Sequence, residues 1–502
     1  MRVGPITRKA AVYVSAVSMI AAISIIPVMA KPAMAEDACS PETIAPVDGS
    51  HAAYMYKVDT DCTLHIGPVQ LPDYRPVQQF VKRIVFDDPK NTKLPEYAYA
   101  FFSTYGNLES IDGINDLDVS NVRSFDSMFK GMDPKNVIDI SSWDMSGAER
   151  VQSMFAESNL DKFKGIENFK FNGNSRVLNF QSMFYNARSE NGIHLSNWSI
   201  GKTTEINAAN MFDNTDTNVI DIGSFANAPI TDTRYMFNNV HAKLENVDNM
   251  NTSQLEIASA MFRLTRPTND IDLSKWKTSS LAMTDSMFLG SDISKFKGMD
   301  HWSTDLTRHR IYNDEMYAEL NPSQPVRLSI PMLTNYKIFN RTNIDNFPDV
   351  TYMHIPDGQN LDTLFTGSIS KYLDMSKWTL ESKNIQTKGM LASLDLDYLR
   401  FNPNMDYDPE TFVDMDLMTN TKTNVWDYLH TDESTKKWAS LPIKKKDARI
   451  NSMVILKHCQ LNAGTIVDTG YQARLEQTPI RKCSIRPKPN LIEYSLEPRS
   501  YH

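Results

Sequence analysis

The chain has 502 residues, 41% of them apolar and 10% aromatic, which is enough core-forming material to exclude global disorder. Its formal net charge of −9 is unevenly spread. Residues 421–502 carry 14 Lys and Arg against 8 Asp and Glu, a net of +6, whereas 36–420 carry −19. An acidic body repels phosphate, so nucleic acid is not expected as a partner.

Residues 1–35 predict a secretory signal. Arg2, Arg8 and Lys9 give a basic start, 10–30 is an apolar run, and Ala33-Met34-Ala35 is a small-x-small pattern. Cleavage is expected between Ala35 and Glu36, with the product secreted or held at the cell surface. The membrane is then met only through this segment before cleavage; an uncleaved anchor is the alternative, because the run is long enough to span a bilayer. The four cysteines fall in two pairs, Cys39 with Cys62 and Cys459 with Cys483, 23 and 24 residues apart. In an exported chain that arrangement suggests two local disulfides, with free or cross-paired thiols as the alternative. The spacing is far from C-x-x-C, so no metal is expected there.

Residues 36–95 predict an N-terminal β cap. Residues 54–58 and 62–66 alternate apolar and polar side chains as a hairpin does, and 81–86 is a further strand. The first unit of a repeat array exposes its apolar end unless something covers it.

From 96 to 392 one unit recurs about twelve times. Its anchors are Phe101-Phe102, Met128-Phe129, Met154-Phe155, Met183-Phe184, Met211-Phe212, Met236-Phe237, Met261-Phe262 and Met287-Phe288. Weaker copies follow at Met316-Tyr317, Ile338-Phe339, Leu364-Phe365 and Met390-Leu391, with intervals of 22 to 29 residues. The first half of a unit reads as a short strand turning out of a sheet: Ile138, Ile140, Trp143; Ile220, Ile222, Phe225; Leu373, Met375, Trp378. In the second half Val122, Phe125, Met128 and Phe129 fall at i, i+3, i+6 and i+7, which predicts a short helix capped by Ser120, with Ser146 the cap of the next. Such a unit cannot bury its aromatic residues alone. Trp143, Met154, Phe155, Trp198, Met211, Phe212, Trp276, Met287, Phe288 and Trp378 are therefore expected to pack between neighbouring units.

The stretches I-D-I-S-S-W-D-M-S (138–146), I-D-L-S-K-W-K-T-S (271–279) and L-D-V-S-N-V-R-S-F-D-S-M-F (117–129) resemble the repeat of BspA-like leucine-rich-repeat bacterial surface proteins. C-T-L-H-I-G-P at 62–68 resembles their lead-in. The resemblance implies an α/β repeat fold, an LRR-like right-handed solenoid of short parallel strands and short helices with small β elements at both ends. It also implies display outside the cell and a role in adhesion or partner binding. Residues after Trp302 depart from the pattern, interrupted by Pro322, Pro325 and Pro331.

Residues 393–430 predict an acidic linker or cap; their D-x-D pairs lack the D-x-[DN]-x-[DN]-G loop of a calcium site. Residues 431–502 predict a small β module clipped by Cys459 and Cys483, with Lys436, Lys437 and Lys444 to Lys446 as a basic cluster. That cluster offers attraction to an anionic envelope polymer; an exposed loop is the plainer reading. No H-E-x-x-H, G-x-S-x-G, Walker A or dinucleotide motif occurs, so neither enzymatic activity nor a cofactor is expected.

What remains is a surface. Asp139, His194, Asp221, Asn246, Asp272 and Asp374 each stand four residues before the inward aromatic position or its equivalent, and are expected to form a polar, mostly acidic outward column. As a binding column it would face an extracellular protein or glycan; otherwise it is the solvent side of the sheet. The function expected from these observations is a secreted or surface repeat scaffold that binds another macromolecule, an adhesin. A structural envelope protein without a dedicated ligand is the alternative.

Overall fold

The structure is a computed structural model that describes residues 39–46, 51–72, 80–103, 105–171, 177–302, 314–322, 324–328, 337–355, 360–370, 372–375, 377–380, 386–387, 390–391, 394, 398–400 and 454–456. The signal segment with its Ala35–Glu36 junction, nearly all of the 393–430 stretch, and the Cys459 and Cys483 pair lie outside the described residues.

A five-stranded sheet in sequence order leads into the array and takes its last strand from the first repeat: β1 (Glu42–Ile44), β2 (Tyr56–Val58), β3 (Thr63–Ile66), β4 (Arg83–Phe86) and β5 (Ser110–Asp112). The strands β1, β2 and β3 pair antiparallel, and β3, β4 and β5 pair parallel. The sheet thus changes from hairpin pairing to the parallel pairing of the repeats that follow. Cys39 and Cys62 form a disulfide that ties the chain before β1 to the turn before β3. It closes a loop of 23 residues, so replacing both cysteines with Ser is expected to cost roughly 2–4 kcal/mol. A lowered urea midpoint, matched by reducing the wild type, checks this.

Within the array every strong anchor is buried. Met128, Phe129, Met154, Phe155, Met183, Phe184, Met211, Phe212, Met236, Phe237, Met261, Phe262, Met287 and Phe288 are all 0% exposed. The rings form one column. Phe102 stacks on Phe129 at 5.3 Å, Phe129 on Phe155 at 5.4 Å, and the series continues through Phe184, Phe212, Phe237, Phe262, Phe288, Tyr317 and Phe339 to Phe365. Offset stacking at these separations is the favoured arrangement of aromatic pairs. Trp143, Trp198, Trp276, Trp302 and Trp378 lie beside the column, each nearly buried. Their indole N–H groups donate to backbone carbonyls one repeat earlier: Ile114, Ile166, Val247, Leu273 and Val350, at 2.6 to 3.1 Å. A buried indole needs such an acceptor.

The expected α/β fold with its LRR-like right-handed solenoid is corrected by the observed backbone. Among the described residues there is no α-helix, only 3-10 turns of three to five residues, and the strands fall into nine separate sheets of two to five short strands. The cause is local. The residue before each anchor Met has positive φ, from Ser127 (57°) through Ser153, Ser182, Asn210, Tyr235, Ala260 and Ser286 to Glu315 (54°). A second such residue follows two positions after the aromatic: Gly131, Glu157, Asn186, Asn214, Asn239, Leu264 and Gly290. A right-handed helix cannot pass through a left-handed residue twice in five positions.

Hydrogen bonding follows from this backbone. Phe125, Ser127, Phe129 and Gly131 donate their N–H groups to the next repeat, at Arg150, Gln152, Met154 and Ala156. Between them Met128, Lys130 and Met132 donate three residues back, to Phe125, Ser127 and Phe129. Alternate amides thus close turns and cross to the neighbour, which satisfies the buried backbone without helix or long strand. The same cross-repeat bond, aromatic N–H to Met carbonyl, recurs at 2.9–3.0 Å from Phe102 to Met128 through Phe288 to Met316. Buried hydroxyls add a second link: Ser158, Thr215, Thr265, Thr342 and Ser368 donate to Phe129, Phe184, Phe237, Tyr317 and Phe339 carbonyls at 2.5 to 2.8 Å. The expected Ser caps are also corrected. In the turn Met145–Gly147 the cap is Asp144, whose carboxylate accepts from Ser146 N–H at 2.9 Å, and Asp118 accepts from Ser120 in the same way.

Candidate functional site

The six positions of the expected outward column do not form one continuous row. Asp139 ends β6 (Ile138–Asp139), which pairs in register with β7 (Phe163–Lys164), so Lys164 is its neighbour. The Lys164 ammonium donates to Asp139 at 2.7 Å. His194 and Asp221 are paired across parallel strands, and the next residue in that register is Glu245, not Asn246. Asn246 has φ 63° and turns its amide back to Asp221 at 2.8 Å. Asp272 stands in register with Lys297, and Asp374 with Arg400.

Exposure divides them further. Asp221 is 8% exposed and accepts from Ser196 Oγ at 2.5 Å and Gly223 N–H at 3.0 Å as well as from Asn246. Burial by itself would raise its pKa, but these bonds hold the carboxyl below the usual range. Asp272 and His194 are exposed, and Asp139, Asn246 and Asp374 are half-buried. Asp272 is held low by the Ser274 N–H. Asp139, Asp221 and Asp272 thus accept from the turns that follow them, and Asp139 also holds Lys164, whereas the Lys297 ammonium goes to Asp270 and not to Asp272. Sequence reasoning missed those cations, although F-K-G at 163–165 and again at 296–298 marks both Lys164 and Lys297.

The Asp139 carboxyl is lowered to about 2, first by the Lys164 hydrogen bond and then by the Ser141 hydroxyl. A depressed folded pKa contributes stability that is present above the ordinary value of 3.8 and lost as pH falls toward 2. Asp139→Asn is therefore expected to flatten the fall of stability with pH between 3.8 and about 2. Urea midpoints measured across that window check it.

A second feature was not anticipated. A groove of about 530 Å³ is lined by Glu96, Ser120, Asn121, Arg123, Ser146, Gly147 and Glu149. It runs across the first three repeats. Arg123 sits between two carboxylates, with Nε 3.0 Å from Glu96 and Nη1 2.8 Å from Glu149. All three side chains are about half exposed, so these ion pairs position one another more than they stabilise the fold. The floor is tight, because a Cβ at Gly147 would collide with the Ser120 carbonyl. The available signal was charge at a fixed offset: Glu96, Arg123 and Glu149 each stand five residues before Phe101, Met128 and Met154. Among the described residues no group of three or more His, Cys, Asp or Glu side chains gathers as a metal site.

Residues 98–198 and 206–321 match the model of a family described as "Mycoplasma protein of unknown function, DUF285". The two matched segments take in the anchors from Phe101-Phe102 through Met316-Tyr317, so the similarity lies in the repeats. The match is to that family and does not single out BspA-like leucine-rich-repeat proteins. No curated protein and no solved structure matches the chain.

Proposed function

We propose that this chain is a secreted or surface-displayed repeat scaffold that binds an extracellular protein or glycan, acting as an adhesin and not as an enzyme. The observation that carries the reading is the division of labour within each repeat. Phe, Met and Trp side chains make the contact between units, while the outer positions hold Asp and Asn fixed by turns and Lys and Arg paired with carboxylates of neighbouring repeats. A repeated, preorganised polar surface suits recognition of a large partner, because little side-chain freedom is left to lose on binding. Similarity over 98–198 and 206–321 to a family of unknown function is compatible with this role. The basic start and apolar run of 1–35 support export.

The test is an array of glycans and extracellular-matrix proteins probed with the chain from residue 36 onward. Binding of at least one component is expected, and it should be lost when 96–391 are deleted. Binding that survives the deletion undamaged would remove the repeats from the function.

A further inference from the structure

Tyr97 and Tyr99 are 55% and 65% exposed on the segment that follows Glu96, a residue of the polar groove. A single exposed aromatic is ordinary, and Tyr352 is 59% exposed as well, but two such rings within three residues make a patch. Tyr97 directly follows Glu96, which lines the groove, and bridges in parallel register to Ser124, the residue after Arg123. Ser124 in turn bridges to Arg150. Ala98 between them is buried, while both rings are open to solvent.

The charges on this face are already matched. Arg123 is held by Glu96 and Glu149, and Arg150 Nε lies 2.7 Å from Asp126, which also accepts from Gln152 N–H at 2.9 Å. Three carboxylates against two guanidinium groups leave little field to draw either an anion or a polycation. What the face offers a ligand is ring surface for stacking, and hydroxyl, amide and carboxylate groups for hydrogen bonds. That combination recognises a neutral, hydroxyl-rich chain, whose ring faces are apolar and whose edges are polar. We propose that the groove together with the adjoining exposed tyrosines, Tyr97 and Tyr99, forms an oligosaccharide-binding site for uncharged sugars, with the tyrosines as stacking platforms and Glu96, Asn121 and Glu149 as partners for sugar hydroxyls. The proposal rests on the binding-scaffold reading above and names its ligand class and place.

The experiment titrates the chain from residue 36 onward with cellotetraose, chitotetraose and mannotetraose by calorimetry, with poly-lysine as the competing class. At least one tetrasaccharide is expected to bind. Tyr97→Ala/Tyr99→Ala should weaken it by about 10-fold or more, and Tyr97→Phe should stay within about 3-fold, because the ring and not the hydroxyl stacks. Both tyrosines are more than half exposed, so these variants should remain folded, which thermal melting checks. No binding of any tetrasaccharide, equal binding by the double Ala variant, or salt-sensitive binding of poly-lysine alone would each overturn the proposal. If the protein still captures a matrix protein while no sugar binds, the scaffold reading stands and only this site falls.

Discussion

Trp276→Asp is expected to unfold the repeats on either side of it, at a cost of at least about 3–5 kcal/mol. Trp276 is 5% exposed, lies parallel to Trp302 at 5.9 Å and tilts against Phe262 at 6.0 Å. Its indole N–H is the donor to the Val247 carbonyl at 3.0 Å. The substitution removes the rings' contact, places a carboxylate where there is no cation to pair with it in the ring column, and leaves Val247 without its donor. Trp276→Phe separates these effects. It keeps an apolar ring and loses the donor, so about 1–2 kcal/mol is expected from the orphaned carbonyl and the smaller volume. Urea and thermal melts of both variants give the answer; wild-type melting of Trp276→Asp would mean that the tryptophan does not pack between repeats.

Gly165→Ala is the second large effect. Gly165 has φ 106°, and a Cβ there would stand 2.6 Å from the Ser141 amide nitrogen. That neighbour is backbone of the preceding repeat, so it cannot swing away as a long side chain could. Gly298 repeats the geometry with φ 78°, its Cβ position 2.6 Å from Ser274 Cβ and 2.7 Å from Asp272 Oδ1. The unfavourable φ alone costs roughly 1–3 kcal/mol, and separating the repeats adds to it, so more than about 2 kcal/mol is expected from Gly165→Ala. Gly106→Ala is the control: nothing lies within 4 Å of its Cβ position, and the smaller unfolded-state entropy should leave it neutral or slightly stabilised. Equal melting of the two variants would contradict the close approach of the repeats at 141 and 165.

The parts of this architecture legible in the sequence are those written in side-chain identity. Met154-Phe155 or Met287-Phe288 recurs at a spacing too regular for chance, and Ile138, Ile140 and Trp143 are buried as their pattern indicates. The backbone was harder to read. A run such as Val122, Phe125, Met128 and Phe129 has the apolar spacing of a helix, yet consecutive turns that each close over three residues bring side chains round with nearly the same period. What distinguishes them is Ser127 at φ 57° and Gly131 at φ 73°. Gly131 is a visible signal, but Ser, Tyr and Ala at Ser127, Tyr235 and Ala260 give no residue-level warning of a left-handed backbone.

The outward column failed as a row for a related reason. Counting four residues back from an aromatic locates Asp139 and Asp221 correctly in sequence, but register decides who stands beside them, and it brings Lys164 to one and His194 with Glu245 to the other. The Glu96, Arg123 and Glu149 groove was written at an offset from the Met anchors that the strand-centred counting did not use. Repeat phase, taken from the anchors rather than from the strands, is the better ruler for this chain.

The central claim is that the Met-Phe doublets interlock neighbouring repeats through their own backbone as well as their rings. Amide hydrogen exchange, followed by mass spectrometry on peptides spanning 128–129, 154–155, 183–184, 211–212, 236–237, 261–262 and 287–288, measures it most directly. Slow exchange is expected at every aromatic N–H of the series, with the exposed turn between successive doublets exchanging faster. Exchange at unfolded-chain rates across those peptides would contradict the account.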